Sequence, residues 1–156
     1  MTLRCATYSS VAQIFTRSPR KIAFQPADMF TLGLLLAGHG YASQDGRDTV
    51  LRSREFVLYD VTRPSRLAFY SGFVRTTLAF PRSALMRRLG RAEHFIGRPI
   101  DGSTGVGGIL WRLLRELPSR VATIPAAVQE RVADNLLDLI ATALFSDIGK
   151  ASVSAG

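Results

Sequence analysis

The sequence predicts an α+β fold, a β sandwich or small barrel followed by α-helices. Three observations carry that expectation. Between Ile22 and Phe80, short apolar runs near 32–37, 49–51, 56–61, 67–70 and 74–80 are separated by Gly38, Gly40, Asp45-Gly46, Pro64 and Gly72. That is the spacing of short strands joined by tight turns. The last run alternates, with Val74, Thr76, Leu78 and Phe80 on one face and Arg75, Thr77 and Ala79 on the other. Beyond Pro81 the apolar period lengthens to that of helices.

The elements follow in order. The first 25 residues hold no apolar stretch of 7 or more, so no signal peptide is expected there. Met29 to Ala37 is apolar but far short of the roughly 20 residues a membrane helix needs, and it reads as a buried strand. Asp45-Gly46 suits a type I′ hairpin turn, because both residues tolerate positive φ; Arg47 follows it. At Asp60, Arg63 and Pro64 the chain turns again. A carboxylate on Asp60 paired with Arg63 or Arg47 would pin that corner, a structural role.

Residues 82–89 read as a short basic helix ended by Gly90, and 90–102 as a loop. A second helix is expected from about 104 to 117, with Val106, Ile109, Leu110, Leu113, Leu114 and Leu117 on one stripe and Pro118 as its stop. Pro125 suits the first turn of a third helix running to about Phe145. Its apolar positions cover about half the circumference, whereas packing on a barrel needs a stripe of roughly 100°. Two partners for the surplus weigh equally. One is the second helix; the other is a second subunit, with the dimer interface at Val132, Leu136, Leu139, Ile140 and Ala143. The expected organisation is a barrel over 1–81, a helical segment over 82–148 and a linker or flexible tail over 149–156.

The formal charge of +8 is concentrated. Residues 61–100 hold eight arginines and one acid, spread along a strand and a helix rather than in a run, which favours a basic face over a nucleic-acid tail. Cys5 is the single cysteine, so neither an intrachain disulfide nor a thiolate metal cluster is expected. The histidines, His39 and His94, do not form a His-x-His pair, and no metal or other cofactor is expected. No serine sits in a G-x-S-x-G elbow. Gly102-Ser-Thr-Gly-Val-Gly-Gly opens a helix but lacks a P-loop lysine, and capping by Asp101 or Ser103 explains it at least as well as anion binding.

The segment QDGRDTVLRSREFVLYDVTRPSRLAFYSGFVRTTLAFPR, Gln44 to Arg82, resembles the sensor half of AraC-type transcription regulators in the branch with a Q-x-G-R … L-x-D-x-x-R-P … F-P-R signature. The resemblance covers about residues 3–146. It implies a cupin-like jelly-roll barrel whose lumen takes a small effector, helices behind it that mediate dimerisation, and a C-terminal pair of helix-turn-helix motifs that reads DNA. Nothing after Phe145 supplies that reader, so the expectation is a sensor without it, excised or truncated. Where relatives carry Gly-Asp before the third run, this chain has Arg54-Glu55, which removes the glycine from that turn.

Carried onto this chain, the family's pocket maps to Leu35, Ala37, Leu67, Phe69, Arg75 and Thr77. Arg75 there suits a carboxylate; the alternative, Arg75 toward solvent, weighs slightly more on sequence alone. The resulting expectation is a cytoplasmic, non-enzymatic, ligand-sensing and dimerisation domain, with no membrane partner and DNA contact only through the absent reader. Its effector would be an aromatic or carboxylate-bearing small molecule. Two alternatives stand beside it: a cupin-like enzyme, and a partner module that heterodimerises with full-length regulators.

Overall fold

A computed structural model describes the backbone of residues 3–155 and the side chains of residues 3–147. The strands are β1 (Arg4–Ser10), β2 (Gln13–Arg17), β3 (Met29–Ala37), β4 (His39–Gln44), β5 (Arg47–Arg52), β6 (Glu55–Asp60), β7 (Ser65–Phe69), β8 (Phe73–Pro81) and the short β9 (Ile100–Asp101). The helices are α1 (Pro19–Phe24), α2 (Arg82–Leu89), α3 (Gly105–Arg120) and α4 (Ala126–Ala155).

Two antiparallel sheets form, in the orders β1-β8-β3-β6-β9 and β2-β7-β4-β5. Removing β9 leaves eight strands in jelly-roll order, as expected of a cupin-like barrel with helices behind it. The hairpin at Asp45-Gly46 has φ values of 54° and 74°, the pair that a type I′ turn requires.

The five-stranded sheet is buried on both faces. Phe30, Leu32, Leu34, Phe56, Leu58, Leu78 and Phe80 pack outward against Leu85, Leu110, Trp111, Leu114, Leu137 and Leu144 of the helices. Leu35, Val57, Tyr59 and Phe73 belong to a second cluster between the sheets, with Ala42, Leu51 and Phe69 from the opposite side. Double burial explains why β3 and β6 read as continuous apolar runs.

Several expectations change. The N-terminal strands β1 and β2 lack apolar runs and gain strand geometry from pairing with β8 and β7. HGYASQ is likewise a strand because β5 and β7 flank it. Gly40 is required there, since a β-carbon would lie 2.6 Å from Cδ1 of Phe69. The loop 90–102 contributes β9 and buries Phe95, Ile96 and Ile100. Pro118 lies in the last turn of α3 rather than ending it. The α4 backbone continues to Ala155, so the helix extends past Phe145 and through most of 149–156; no proline interrupts it.

Of the residues expected at an α4 dimer interface, Leu136, Ile140 and Ala143 are buried in the core, with Val132 and Leu139 partly buried against it. Much of the α4 apolar surface is thus covered from within the chain, by α3, α2 and β9, while Val128 and Phe145 stay exposed.

Candidate ligand site between the sheets

Arg75 is the unusual residue of the interior. Its residue exposure is 6%, and it enters the space between the sheets from the middle of β8. The solvent-facing reading of Arg75 is thus overturned: both faces of its sheet are covered, so alternation alone could not tell lumen from surface. Nη1 donates to the Tyr8 hydroxyl of β1 at 3.0 Å. The guanidinium also lies 5.8 Å from the centroid of the Tyr59 ring. Among the described residues no carboxylate pairs with it. A buried cation held by a phenol and a ring is under-neutralised, because losing its hydration costs more than such contacts return. Burial pushes the Tyr59 hydroxyl pKa well above its ordinary value, and the nearby positive charge of Arg75 opposes that rise in part.

The void around Arg75 measures about 10 Å³, room for a single water. Gly33, Leu35, Val57, Tyr59 and Phe69 share its wall. Behind Phe69, an aromatic cluster with Tyr8, Phe15 and Phe73 makes edge-to-face and stacked ring contacts at centroid distances of 4.0–6.4 Å. Glu55 also lines the void, and its buried Oε1 has no hydrogen-bond partner. Desolvation raises the Glu55 pKa and Asp101 adds to the rise; the charge and backbone N–H of Arg52 oppose it.

Of the six residues mapped to the pocket, Leu35, Phe69 and Arg75 meet at this void. Leu67 is half-buried against the same cluster. Thr77 is half-buried on β8, in register with Gly33. Ala37 is exposed at the end of β3, past a register shift between Leu35 and Ala37, and so lies away from the void. Gly33, Glu55 and Tyr8 are not among the six residues mapped to the pocket. The glycine inside an apolar run and the acid in an unusual turn were the available signals; β1 offered none.

The signature residues converge at one corner. The Asp60 side chain is 3% exposed, and its Oδ1 accepts from the Thr62 N–H at 2.9 Å and the Thr62 hydroxyl at 2.6 Å. Its Oδ2 accepts from Arg82 Nε at 3.3 Å, while Arg63 Nε stands 3.9 Å away. Gln44 brackets the turn, donating to the Asp60 and Arg63 carbonyls and accepting from the Asp60 N–H. Arg63 donates to Asp45 at 2.9 Å. Arg47 does not reach Asp60; it donates to the Ile96 carbonyl and fastens the later loop. Nearby, Asp101 accepts from Ser103 and Thr104, and Gly102 makes room for the Arg54 carbonyl and the Trp111 ring. Those contacts account for the glycine-rich stretch by packing and capping.

The family described as AraC-binding-like domain matches residues 2–145. The chain is 34% identical over 139 residues to an uncharacterized protein in the nit 5′ region of Bacillus sp. (strain OxB-1), covering 88% of this chain and 54% of that one. It is 31% identical over 144 residues to the transcriptional activator NphR of Rhodococcus sp., covering 91% and 43%. It thus spans about half the length of these relatives. The crystal structure of the AraC-like transcriptional activator CuxR superimposes over 91% of this chain and 51% of its own, with a TM-score of 0.81 at 18% identity. On this match, with the jelly roll and its helices as described, the chain belongs to the AraC-binding-like domain family.

Proposed function

We propose that this chain is the effector-sensing and dimerisation domain of a cytoplasmic transcription regulator, acting by binding rather than by catalysis. The buried Arg75 guanidinium, to which no described residue brings a counter-anion, carries this reading. A carboxylate- or phenolate-bearing effector would supply the missing charge, and the aromatic residues around it would pack against a ring. Because the void is so small, binding requires the guanidinium to leave Gly33 and Tyr8 to yield. Effector occupancy is thereby coupled to β1, the strand carrying Tyr8, and such coupling shifts the population of domain conformations. In a longer chain, that shift would govern how a DNA-reading half is presented.

Dimerisation would use α3. Ile109 and Leu113 are 59% and 48% exposed, and Leu117 and Val121 extend the same i, i+4 stripe. Arg112, Glu116 and Arg120 flank it, and Glu116 lies 3.6 Å from Arg120. An antiparallel α3 pair from two copies would set each Glu116 against the other chain's arginines.

The effector reading is tested by titrating the purified chain with benzoate and related aryl acids while following its melting temperature. A ligand at about 100 times its Kd adds about 2.7 kcal/mol, which a melt resolves. Arg75→Met should abolish the shift. An unchanged shift in that variant would overturn the assignment.

A further inference from the structure

The space that holds Arg75 has a second pole. Glu55 lines the same void from the start of β6, and its buried Oε1 has no partner. Among the described residues no ion pair joins Glu55 to Arg75. Two groups of opposite charge therefore face one cavity, each incompletely satisfied, rather than neutralising each other.

We infer that the effector is amphoteric, with an anionic group for Arg75 and, at its far end, a hydrogen-bond donor for Glu55. This rests on the effector reading above and narrows it. An acid without a donor would leave the Glu55 oxygen dry and unpaired, and an amine without an acid would leave Arg75 without a counter-charge. Either omission incurs the cost of a buried unsatisfied polar atom. Sites built around such atoms reject the analogue lacking one partner much more strongly than they reject a misplaced methylene. Gly33 leaves the floor of the cavity open, so the space now filled by the guanidinium can pass to a single ring or short chain once Arg75 swings aside. Burial already disfavours an isolated charge on Glu55, and a donor brought to Oε1 relieves that.

The test compares benzoate, aniline and p-aminobenzoate on the wild-type chain by isothermal titration, then on Glu55→Leu and Arg75→Met. Glu55→Leu removes both acceptor oxygens while keeping side-chain bulk, whereas Gln would retain an acceptor; far-UV circular dichroism and melting of each variant establish that it folds. The expected result is that p-aminobenzoate binds at least tenfold tighter than either monofunctional compound. Glu55→Leu should erase that gain but not benzoate binding, and Arg75→Met should weaken both acids together. Benzoate binding through Arg75 with nothing gained from the amino group would overturn this inference and leave the effector reading intact. A gain that persists in Glu55→Leu would overturn it in the same way. Failure of all three compounds to bind the wild-type chain would overturn both.

Discussion

The guanidinium of Arg75 occupies the space above Gly33. A β-carbon at position 33 would collide with Nη2 and stand 2.9 Å from Nε. Gly33 and Arg75 lie on the paired strands β3 and β8, so neither can drift from the other without breaking the ladder. Gly33→Ala should therefore cost about 1–3 kcal/mol, the usual penalty of overpacking. Because effector binding requires the guanidinium to leave Gly33, a variant that already holds it off that seat should bind benzoate at least as tightly as wild type. Denaturant melts and a benzoate titration of the variant check the two effects together.

Asp60 is the corner that cannot be vacated cheaply. Its carboxylate receives Arg82 and both donors of Thr62 while buried, so Asp60→Ala strands three donors at once. A loss of about 3 kcal/mol is expected, typical of breaking a buried charged pair. Arg63→Ala should cost under about 1 kcal/mol, because that side chain is 43% exposed and its Nε is 3.9 Å from Asp60. Urea midpoints of the two variants separate these outcomes.

Arg54 adopts φ 69° in the turn between β5 and β6, the left-handed region that favours glycine. Its N–H donates to the Leu35 carbonyl and its carbonyl accepts from Gly102, which lock the conformation despite the side chain. Arg54→Gly relieves the β-carbon penalty of about 1–2 kcal/mol and gives back about 0.5–1 kcal/mol through the more flexible unfolded chain. The net expectation is a gain of about 0.5–1 kcal/mol, read as a higher urea midpoint with an unchanged slope.

Glu55 makes stability depend on pH in a definite direction. Its folded pKa is raised above the ordinary 4.5, so on raising the pH the unfolded chain releases this proton first. Its contribution is fully present below 4.5, declines as pH rises toward the folded value, and then levels off. Arg52 and Asp101 are the charged groups that modulate it. Glu55→Gln should remove this component, so the stability of the variant relative to wild type rises as pH increases above 4.5. Parallel thermal melts of the two proteins from about pH 3.5 to about pH 8 would show it. A constant gap between the two proteins would refute the shift.

How legible these features are depends on whether their cause is local. Asp45-Gly46 and Gly90 are read from sequence because positive φ is a demand on the residue itself. Strand β4 is not, because HGYASQ becomes a strand only through its neighbours. Period two in β8 separates Arg75 from Leu78 but cannot say which face meets solvent, and here neither does. The candidate site suffers most from that ambiguity, since its central residue looks like a surface arginine. The helices show the reverse problem. The α3 stripe is wider than its core contact, so Leu110 and Leu114 are buried while Ile109 and Leu113, grouped with them by spacing, remain outside.

That uncovered part of α3 is the proposed dimer interface. Burying Ile109 and Leu113 against a second copy would recover the apolar area they now leave in water. The flanking charges would favour an antiparallel sense, because a parallel pair would set Glu116 opposite Glu116. Leu113→Glu should place carboxylates along the seam and dissociate the dimer while sparing the monomer's fold, since the position is half exposed. Light scattering on the variant should then give the mass of one chain, against two for wild type. Leu137→Glu is the contrasting control: fully buried in α4, it should unfold the chain rather than dissociate it. A Leu113→Glu protein that remains dimeric would move the interface off α3.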